Sequence, residues 1–568
     1  MTNVKRWVIE PIIPPDVESR LTNAGYPHLV AQLLYNRAAG EPEAAQRFLD
    51  GELAGPDAPE LLLGMEAAVD RLQFALSHAE RIVVYGDYDS DGVTATALMV
   101  QVLGALGATV ERYIPDREEE GYGLNAEALR KIRHEHGGRV VITVDCGVRA
   151  HAEAEEALRL GLDLIVTDHH EPAPELPRAF AIINPKQPGD LYPEKDLAGV
   201  GLAYKLAQGL VRPLGKGTPI NGGDVLDLVA LGTVADMAPL SGENRRLVRL
   251  GLGVLNRGKR VGVRALLEVA RVKPGKVDAT TIGFALGPRL NAAGRLESAL
   301  AAYELLATRN LVEAGVLAMQ LETQNRERQD LTRQVQARAR ELALARGGHG
   351  ALLFAAAPDF REGVVGLAAA RLTDEFYRPS IVAHCGTERT KGSARSIPEF
   401  HITQALDEVQ PLLEKHGGHK AAAGFTVLNE NLEELAARLE QIAERELGDK
   451  ELRPTQRVDV DQVPLAALTP ELYDWLRKFE PCGFKNPTPV LASRGLKVVN
   501  SRPVGADGRH LKLTVSDGHA LFDAIAFGQA PANGQLAPSV DLAYCLEMNE
   551  WQGNYRLQLN VKSIQPGS

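Results

Sequence analysis

The sequence predicts a multidomain α/β protein with a parallel β-sheet, a long connecting helix, a smaller α/β domain and a C-terminal β-barrel. Apolar strand patterns alternate with helical patterns from 62 to 200, which is typical of parallel strands joined by helical crossovers. One helical pattern runs from about 311 to 346, and strand patterns dominate from 455 onward. Because the chain has 568 residues, two to four separate cores are expected.

Composition and charge restrict the classes of protein that fit. The net charge of −11 argues against a general nucleic-acid coat but leaves room for a local basic channel. No apolar run approaches membrane-spanning length, and Met1–Arg6 holds no apolar signal core, so neither a transmembrane helix nor secretion is expected. The four cysteines are widely separated and form no CxxC pair, so neither a zinc site nor a disulfide framework is indicated. A reducing cytoplasm is the expected location.

The first 60 residues contain two short helix-like segments and show no chemistry, so a packing or capping role is expected. The alternating region follows. Its strand candidates are 81–86, 108–114, 139–145, 163–167 and 179–183, with helices at 93–106, 125–136 and 150–160. The continuous apolar run Val140–Val144 suits a strand buried on both faces of a parallel sheet. The segment 198–257 is predicted to be helical.

Acidic and histidine side chains follow three of these strands. Asp87, Asp89 and Asp91 come after the first strand, Asp145 ends the third, and Asp168, His169 and His170 follow the fourth. The carboxyl ends of parallel strands meet at one edge of the sheet, where ligands bind. Like charges packed this closely repel unless a cation lies between them, and a divalent metal ion supplies that charge. Taken alone, the Asp-rich turn is about equally well explained as a solvated loop. Asp145 taken alone is better explained as a helix cap.

Asp236 is a further candidate because it lies in the otherwise apolar run Leu231–Leu240. Charges are rarely buried unless they are paired or bind metal. A cap at a helix end before Pro239 is the alternative.

These segments resemble the four motifs of the DHH phosphoesterase family. The matching segments are Gly86–Gly92, Val144–Gly147, Asp168–His170 and Gly232–Asp236. Gly287–Arg295 resembles the fifth motif of the RecJ branch, the bacterial single-stranded-DNA-specific 5′→3′ exonucleases, and Lys391–Ser396 and Gly417–His419 resemble motifs of the DHHA1 domain. The resemblance runs from about residue 60 to the end. One departure is that Pro358–Gly366 lacks the Trp-His pair expected before its last glycine.

The resemblance implies a hydrolytic site with two divalent ions, Mn²⁺ or Mg²⁺, and the histidine favours Mn²⁺. The implied metal ligands are Asp89, Asp91, Asp145, His169 and Asp236, with Asp87 either a ligand or a neighbour of one. Asp145 is expected to bridge both ions. Asp168 is expected to orient a ligand histidine, and His170 to meet the scissile phosphate.

The resemblance also implies residues that contact DNA. Arg117, Ser393 and Arg395 are expected to bind the 5′ phosphate, since arginine makes bidentate contacts to phosphate. Contacts to the DNA backbone or the scissile phosphate are expected from Arg289, Asn291, Arg295 and His419. For each arginine taken singly, a surface ion pair is an equally good explanation.

The predicted domain division is an N-terminal segment 1–60, a DHH domain 61–310, a connecting helix 311–348, a DHHA1 domain 349–450 and an OB-like nucleic-acid-binding domain 451–568. Five strand patterns in the last segment suit an OB-like barrel, a common binder of single strands. Lys512, Phe527, Trp551 and Tyr555 are candidate contacts there. Any one aromatic residue is more often a core residue than a stacking platform, so none of them is assigned to a site.

The implied activity is metal-dependent 5′→3′ degradation of single-stranded DNA to 5′-mononucleotides in recombination and repair. The implied partners are single-stranded DNA, single-strand-binding protein and a RecQ-type helicase, with the enzyme a monomer. The alternatives are a phosphodiesterase for oligoribonucleotides or cyclic dinucleotides, a non-catalytic DHH scaffold, and a metal-dependent pyrophosphatase. The long helix and the barrel favour long DNA, and the complete set of acidic residues favours catalysis.

Overall fold

The structure is a computed structural model that describes residues 5–117, 120–121, 123–215, 218–296, 298–347, 350–531, 536–551 and 553–567, with the side chain of residue 551 left out. The chain divides into two compact units. The larger unit holds Trp7–Glu322 and Gln456–Ser568, and the smaller unit holds Met1–Arg6 and Thr323–Thr455. The predicted fold class is confirmed.

The N-terminal segment packs against the end of the chain. Its elements are β1 (Arg6–Ile9), α1 (Pro15–Asn23), α2 (His28–Tyr35) and α3 (Pro42–Asp50), so three helices stand where two were predicted. Leu21, Val30 and Leu33 are fully buried in one apolar cluster with Leu511 and Leu513 of the barrel described below. The predicted packing role is therefore seen in the structure.

A five-stranded parallel sheet forms the centre of the larger unit. Its elements in chain order are α4 (Met65–Ser77), β2 (Arg81–Gly86), α5 (Ser90–Ala105), β3 (Thr109–Tyr113), α6 (Ala126–His134), β4 (Val140–Val144), α7 (His151–Leu160), β5 (Asp163–Thr167) and β6 (Ala181–Ile183). The strand order is β3-β2-β4-β5-β6, with every pair parallel. The order reverses between β2 and β4, and such a switch point opens a crevice at the carboxyl ends of the two strands.

Both faces of the sheet are covered, because β2 and β4 carry apolar side chains on both sides. A large cluster fills one face and includes residues of α5, and a smaller cluster fills the other with residues of α6 and α7. The predicted helical segment after the sheet is present. Residues 198–257 contain α8 (Gly199–Val211), α9 (Leu226–Ala235) and α10 (Gly242–Asn256). They are followed by α11 (Val261–Val269), α12 (Ala279–Thr281), a π-helix (Ile282–Leu286), α13 (Gly287–Leu296) and α14 (Leu300–Ala307).

The predicted connecting helix is α15 (Leu311–Gly347). Gly348, the predicted last residue of this segment, lies outside the described residues. The helix belongs to the larger unit up to Glu322 and to the smaller unit from Thr323 onward.

The smaller unit contains a mixed sheet of order β10-β11-β9-β8-β7. Its elements are β7 (Leu353–Ala357), α16 (Glu362–Phe376), β8 (Ser380–Cys385), β9 (Arg389–Arg395), α17 (Ile402–Glu408), β10 (Leu413–His419), β11 (Ala422–Leu428) and α18 (Leu432–Leu447). The sequence pattern predicts one helix over 401–415. The second half of that prediction is wrong, since α17 ends at Glu408 and the chain continues as β10. This edge strand forms by antiparallel pairing with β11, a long-range contact that its glycine-rich sequence does not signal.

The C-terminal part of the larger unit is a closed five-stranded barrel of order β13-β14-β15-β17-β16, as predicted. Its elements, with those that precede it, are β12 (Thr455–Val458), α19 (Pro470–Arg477), β13 (Leu491–Val504), β14 (His510–Ser516), β15 (Leu521–Ala526), β16 (Ser539–Trp551) and β17 (Asn554–Pro566). None of the helices in the described ranges combines the length and the apolar character that crossing a bilayer requires.

The buried guanidinium of Arg245 in α10 ties three segments of the larger unit together. It donates hydrogen bonds to the backbone oxygens of Phe48, Lys478 and Glu480, the last two at 3.1 Å. It also lies 4.2 Å from the centre of the Phe48 ring. One side chain therefore connects the helical region to α3 and to the segment that follows α19.

Candidate metal centre

The predicted metal-binding residues converge at the carboxyl edge of the sheet, beside the crevice between β2 and β4. Within each of three groups, the ligand-type atoms lie within 4.8 Å of one another. The groups are Asp87, Asp89 and Asp145; Asp91, His169 and Asp236; and Asp145, His169 and His170. Asp145 and His169 each belong to two groups, so the side chains form one continuous cluster.

The first turn of α5 orients two of the carboxylates. Asp89 caps the helix, and its Oδ1 accepts hydrogen bonds from the backbone N–H groups of Asp91 and Gly92 at 2.9 and 3.1 Å. Asp91 is fully buried, and its two oxygens accept from the N–H groups of Gly199 and Val200 at 2.7 and 2.9 Å. These donors begin α8, where the helix dipole favours a negative charge. Asp91 is thus held between the ends of two helices.

Asp145 lies at a strained point of the backbone, and Asp236 directly precedes another. Asp145 has φ 64°, a left-handed conformation that is uncommon for residues other than glycine. The adjacent Gly199 leaves room for it, since a Cβ at that position would lie 2.7 Å from the Asp145 side chain. Asp236 ends α9 and is followed by Met237 at φ 60°. Such strain is commonly retained at functional sites.

Three buried polar atoms of the cluster have no hydrogen-bond partner among the described residues. They are Oδ1 of Asp87, Oδ1 of Asp145 and Nε2 of His169. The latter two atoms lie only 3.0 Å apart, but their orientation does not make a hydrogen bond. Leaving polar atoms unpaired in the interior costs about 1–3 kcal/mol each. Oxygen and imidazole nitrogen atoms arranged in this way suit a divalent cation, and the donor set fits Mn²⁺ or Mg²⁺.

The pKa values of the acidic residues show the same need for positive charge. Burial and the neighbouring Asp89 raise the pKa of Asp87 to about 8 and that of Asp91 to about 7. Burial and the charges of Asp91 and Asp89 raise the pKa of Asp236 to about 8. Burial, with the repulsion of the other carboxylates, raises the pKa of Asp145 well above its usual range. A bound divalent cation would favour the ionised forms and reverse these shifts.

The two histidines have opposite electrostatic character. Burial and the charge of His170 lower the pKa of His169 to about 3, which keeps its imidazole neutral and suited to bind metal. Burial would also lower the pKa of His170, but the hydrogen bond and charge of Asp168 outweigh it and raise that pKa to about 9. Without metal, this shift favours the protonated imidazolium of His170, a form suited to contact an anionic phosphate.

Asp168 holds His170, whereas the expected partner was the ligand histidine, His169. Its Oδ1 accepts from Nδ1 and from the backbone N–H of His170 at 2.7 and 3.0 Å, and its Oδ2 accepts from the N–H of Val148 at 2.9 Å. Burial raises the pKa of Asp168, but these hydrogen bonds and the charge of His170 outweigh it, so the net shift is downward. Asp168 stays ionised and fixes the orientation of His170.

Arg117 lies beside the cluster, as predicted for a residue after β3. Its guanidinium carbon is 5.2 Å from the centre of the Tyr88 ring, a cation–π arrangement. The charge of Arg117 also opposes the rise in the pKa of Asp87.

The fifth motif packs against the loop that carries the first three aspartates. Oδ1 of Asn291 accepts from the backbone N–H and the hydroxyl of Ser90 at 2.6 and 2.8 Å. Gly294 allows close approach, because a Cβ there would lie 2.5 Å from the backbone oxygen of Tyr88. Arg289 donates to Glu322 at 2.7 Å. Asn291 and Arg289 thus have partners inside the protein.

Arg295 is near the same loop, where its charge opposes the rise in the pKa of Tyr88 that burial causes. A role for this motif in contacting DNA stays a prediction.

The predicted phosphate-binding residues of the smaller unit form their own cluster. Nη1 of Arg395 donates to the Ser393 hydroxyl at 2.9 Å, and both side chains border Gly366 of α16, where a Cβ would lie 2.9 Å from each of them. Burial lowers the pKa of Arg395 from its ordinary value. His419 ends β10 as an exposed residue.

Sequence reasoning missed several residues that position the site. Gly199 and Val200 supply the N–H groups that hold Asp91, and the Gly-Val-Gly stretch that begins α8 was the available signal. Gly232 belongs to the segment that resembles the fourth DHH motif, and its packing against Asp91 is a second role that the motif does not indicate. A Cβ there would lie 2.8 Å from Oδ1 of Asp91 and 2.3 Å from the Thr94 hydroxyl.

Of the candidate barrel contacts, Phe527 and Tyr555 are exposed and Lys512 is half-buried. Phe527 packs edge-on against His510 with the ring centres 5.4 Å apart. The side chain of Trp551 lies outside the described residues. Any contact of these residues with nucleic acid stays a prediction.

Three family models match the chain. The DHH family N-terminal domain matches residues 81–233, the DHHA1 domain matches 349–445, and the RecJ OB domain matches 460–563. The first of these includes the clustered residues from Asp87 to His170.

The chain is also similar over nearly its whole length to curated single-stranded-DNA-specific exonucleases RecJ. It is 39% identical over 561 residues to the Bacillus subtilis protein, covering 98% of this chain and 70% of the relative. It is 37% identical over 569 residues to the Escherichia coli protein, covering 96% of each.

Two solved structures resemble this fold. RecJ from Thermus thermophilus in complex with Mn²⁺ has a TM-score of 0.85 at 31% identity, covering 99% of this chain and 80% of that one. A structure of exonuclease RecJ bound to manganese has a TM-score of 0.60 at 37% identity, covering 70% of this chain and 99% of that one.

Proposed function

Since this chain belongs to the RecJ family of single-stranded-DNA-specific exonucleases, we propose that it degrades single-stranded DNA from the 5′ end. The products are 5′-mononucleotides, and the processes served are DNA recombination and repair. The observation that carries the proposal is the cluster at the sheet edge, in which Asp87, Asp145 and His169 each bury a polar atom with no partner among the described residues.

Two divalent ions, Mn²⁺ or Mg²⁺, fit the three overlapping groups of ligand atoms. Asp87 and Asp89 would hold one ion, Asp91, His169 and Asp236 would hold the other, and Asp145 would contact both. When bound, the ions activate water and neutralise charge on the phosphate oxygens. The unpaired Oδ1 of Asp87 favours direct contact with metal, a question that the sequence left open.

The remaining residues bind and orient the substrate. Protonated His170, held by Asp168, donates a hydrogen bond to the scissile phosphate and stabilises the negative charge that grows on it. Asn291 keeps the loop that carries Asp89 and Asp91 in place through Ser90.

Phosphate recognition is assigned to basic residues of each unit. Arg395 with Ser393 in the smaller unit, and Arg117 in the larger, are suited to bind the 5′ phosphate, because a guanidinium offers two parallel donors. Arg289, Arg295 and His419 are assigned to the DNA backbone.

The proposal extends to organisation and context. The five-segment division 1–60, 61–310, 311–348, 349–450 and 451–568 is retained, with the barrel as the single-strand binder. We also propose that the protein is a monomer and is located in the cytoplasm. Its proposed partners are single-strand-binding protein and a RecQ-type helicase. The four described cysteines are free thiols, which supports a reducing compartment.

The test is digestion of 5′-labelled and 3′-labelled single and double strands with Mn²⁺, Mg²⁺ or EDTA. We expect labelled mononucleotide to appear first from the 5′-labelled single strand, with duplex resistant and EDTA abolishing cleavage. The variant Asp145→Asn should lose cleavage, and asparagine tolerates the left-handed backbone at this position.

The matched control is Asp163→Asn, an aspartate of β5 that pairs with Arg71 away from the cluster, and it should retain activity. Initial release from the 3′ end, equal cleavage of duplex, or full activity of Asp145→Asn would each contradict the proposal.

A further inference from the structure

Two large apolar side chains are exposed on the segments that border Asp236. Phe284 is 83% exposed and Met237 is 70% exposed. The segments pack together, since a Cβ on Gly283 would lie 4.0 Å from Val234 and one on Gly287 would lie 3.1 Å from Ala235. Exposed apolar groups gathered beside a polar site are typical of surfaces that contact a ligand.

Phe284 contributes nothing to the core of its own helix. It lies in the middle of the π-helix, where Ile282 and Leu286 are fully buried, so the aromatic ring stands on the opposite face. Its neighbours Gly283 and Ala285 are small and leave both sides of the ring accessible. Short π-helical turns occur frequently at functional sites.

Met237 combines a strained backbone with an exposed side chain. Its φ of 60° strains any residue that has a Cβ, and glycine would adopt this conformation without strain. Packing does not explain the side chain, because most of its surface faces solvent.

The helix that carries Phe284 also reaches the loop of aspartates. The backbone oxygen of Gly287, three residues further on, accepts from the Ser90 hydroxyl at 3.4 Å. Three residues of helix advance only about 4–5 Å along the axis. Ser90 itself lies between Asp89 and Asp91.

Resting on the function proposed above, we propose that Phe284, with Met237 next to Asp236, forms an apolar platform for the base of the nucleotide beside the scissile phosphate. Every nucleobase has an apolar π-face, so such a platform binds without sequence preference. A base reaches it only when its face is free of the neighbouring base pair, so the platform also favours single strands. Phe284 and Met237 are thus positioning residues for the substrate strand.

The test compares degradation of a 5′-phosphorylated single strand with Mn²⁺ by the wild type, Phe284→Ala and Phe284→Trp. We expect Phe284→Ala to raise KM about tenfold, within the range that one stacked base contributes, with a smaller change in kcat, and Phe284→Trp to restore KM. Met237→Gly should raise KM in the same direction without lowering the melting temperature.

The matched control is Phe74→Ala, which removes a half-exposed phenylalanine from α4 that stacks on His78. It should leave KM unchanged. A second substrate carries tetrahydrofuran residues in place of the first few nucleosides, and on it the wild type and Phe284→Ala should have the same KM.

The outcomes separate the two proposals. A wild type that leaves single strands intact contradicts the proposed function itself. An active wild type with an unchanged KM in Phe284→Ala overturns the platform alone. The same KM increase on the strand without bases would also overturn it, because the loss would then come from something other than base contact.

Discussion

Without divalent metal, the free energy of unfolding should fall as the pH rises near neutrality. The folded, metal-free protein holds protons on Asp87 and Asp236, whose pKa values are raised to about 8, and on His170, whose pKa is raised to about 9. A group with a raised folded pKa contributes stability at low pH and loses it as the pH rises through that pKa. His169 acts in the opposite direction, but only below its unfolded pKa of about 6.5.

The free energy of unfolding therefore falls between about pH 4 and pH 8 for the two carboxyl groups and between about pH 6.5 and pH 9 for His170, so the interval from pH 7 to pH 8 lies inside both windows. For each proton that the folded state retains and the unfolded state has lost, the free energy of unfolding falls by about 1.4 kcal/mol when the pH rises by one unit. Because the carboxylates interact, protonation of one relieves another, and we expect the equivalent of at least one retained proton. The free energy of unfolding in EDTA should then fall by about 1.4 kcal/mol or more between pH 7 and pH 8.

The assay is urea unfolding at several pH values in EDTA and in saturating Mn²⁺. With Mn²⁺ the free energy of unfolding should rise with pH, because the ligands bind metal in their deprotonated forms. The variant Asp236→Asn should be more stable than the wild type at pH 8 in EDTA and should gain less from Mn²⁺. A free energy of unfolding in EDTA that stays level or increases from pH 7 to 8 would refute the reasoning.

Three further predictions concern the orientation of His170, the contacts that Arg245 makes with other segments, and the packing around Asp91. Asp168→Asn should lower kcat by about 10–100-fold with nearly unchanged Mn²⁺ affinity by calorimetry, because it loosens a substrate-contacting histidine, and wild-type kcat would contradict this. Arg245→Ala should lower the free energy of unfolding in urea by about 3–6 kcal/mol, because three backbone oxygens lose a charged donor. Its control is Arg257→Ala, an exposed arginine at the C-terminal end of the same helix, with an expected change below about 1 kcal/mol. Gly232→Ala should cost about 1–3 kcal/mol of stability and most of the activity, since the added methyl group meets Asp91; unchanged stability and activity would argue against this close packing.

The central sheet could be predicted from the sequence because its strands are buried on both faces. Predicted strand 81–86 coincides with β2, and 163–167 coincides with β5. In such strands the apolar run is continuous and ends where polar residues begin. The edge strand β10 could not be predicted, because Leu413–His419 owes its conformation to pairing with β11.

The candidate site was predictable as a set of residues but not as a set of contacts. Asp87, Asp145 and His169 follow β2, β4 and β5, and their positions at the ends of these strands indicate that they meet. The choice of His170 as the partner of Asp168 depends on side-chain orientation within one turn, which no sequence pattern encodes. The same applies to the N–H groups of α8 that hold Asp91, since the residue type does not reveal which backbone N–H groups act as donors.

The apolar cluster shared by the N-terminal helices and the barrel has a consequence for synthesis on the ribosome. Leu21, Val30 and Leu33 emerge early, but their partners Leu511 and Leu513 emerge almost at the end. At about 5–20 residues per second the delay is roughly 25–95 s. During that time the helices expose an apolar surface, while the central sheet is already able to form. We therefore expect mutations in this first segment to reduce the yield in cells more than they reduce the stability of the folded protein.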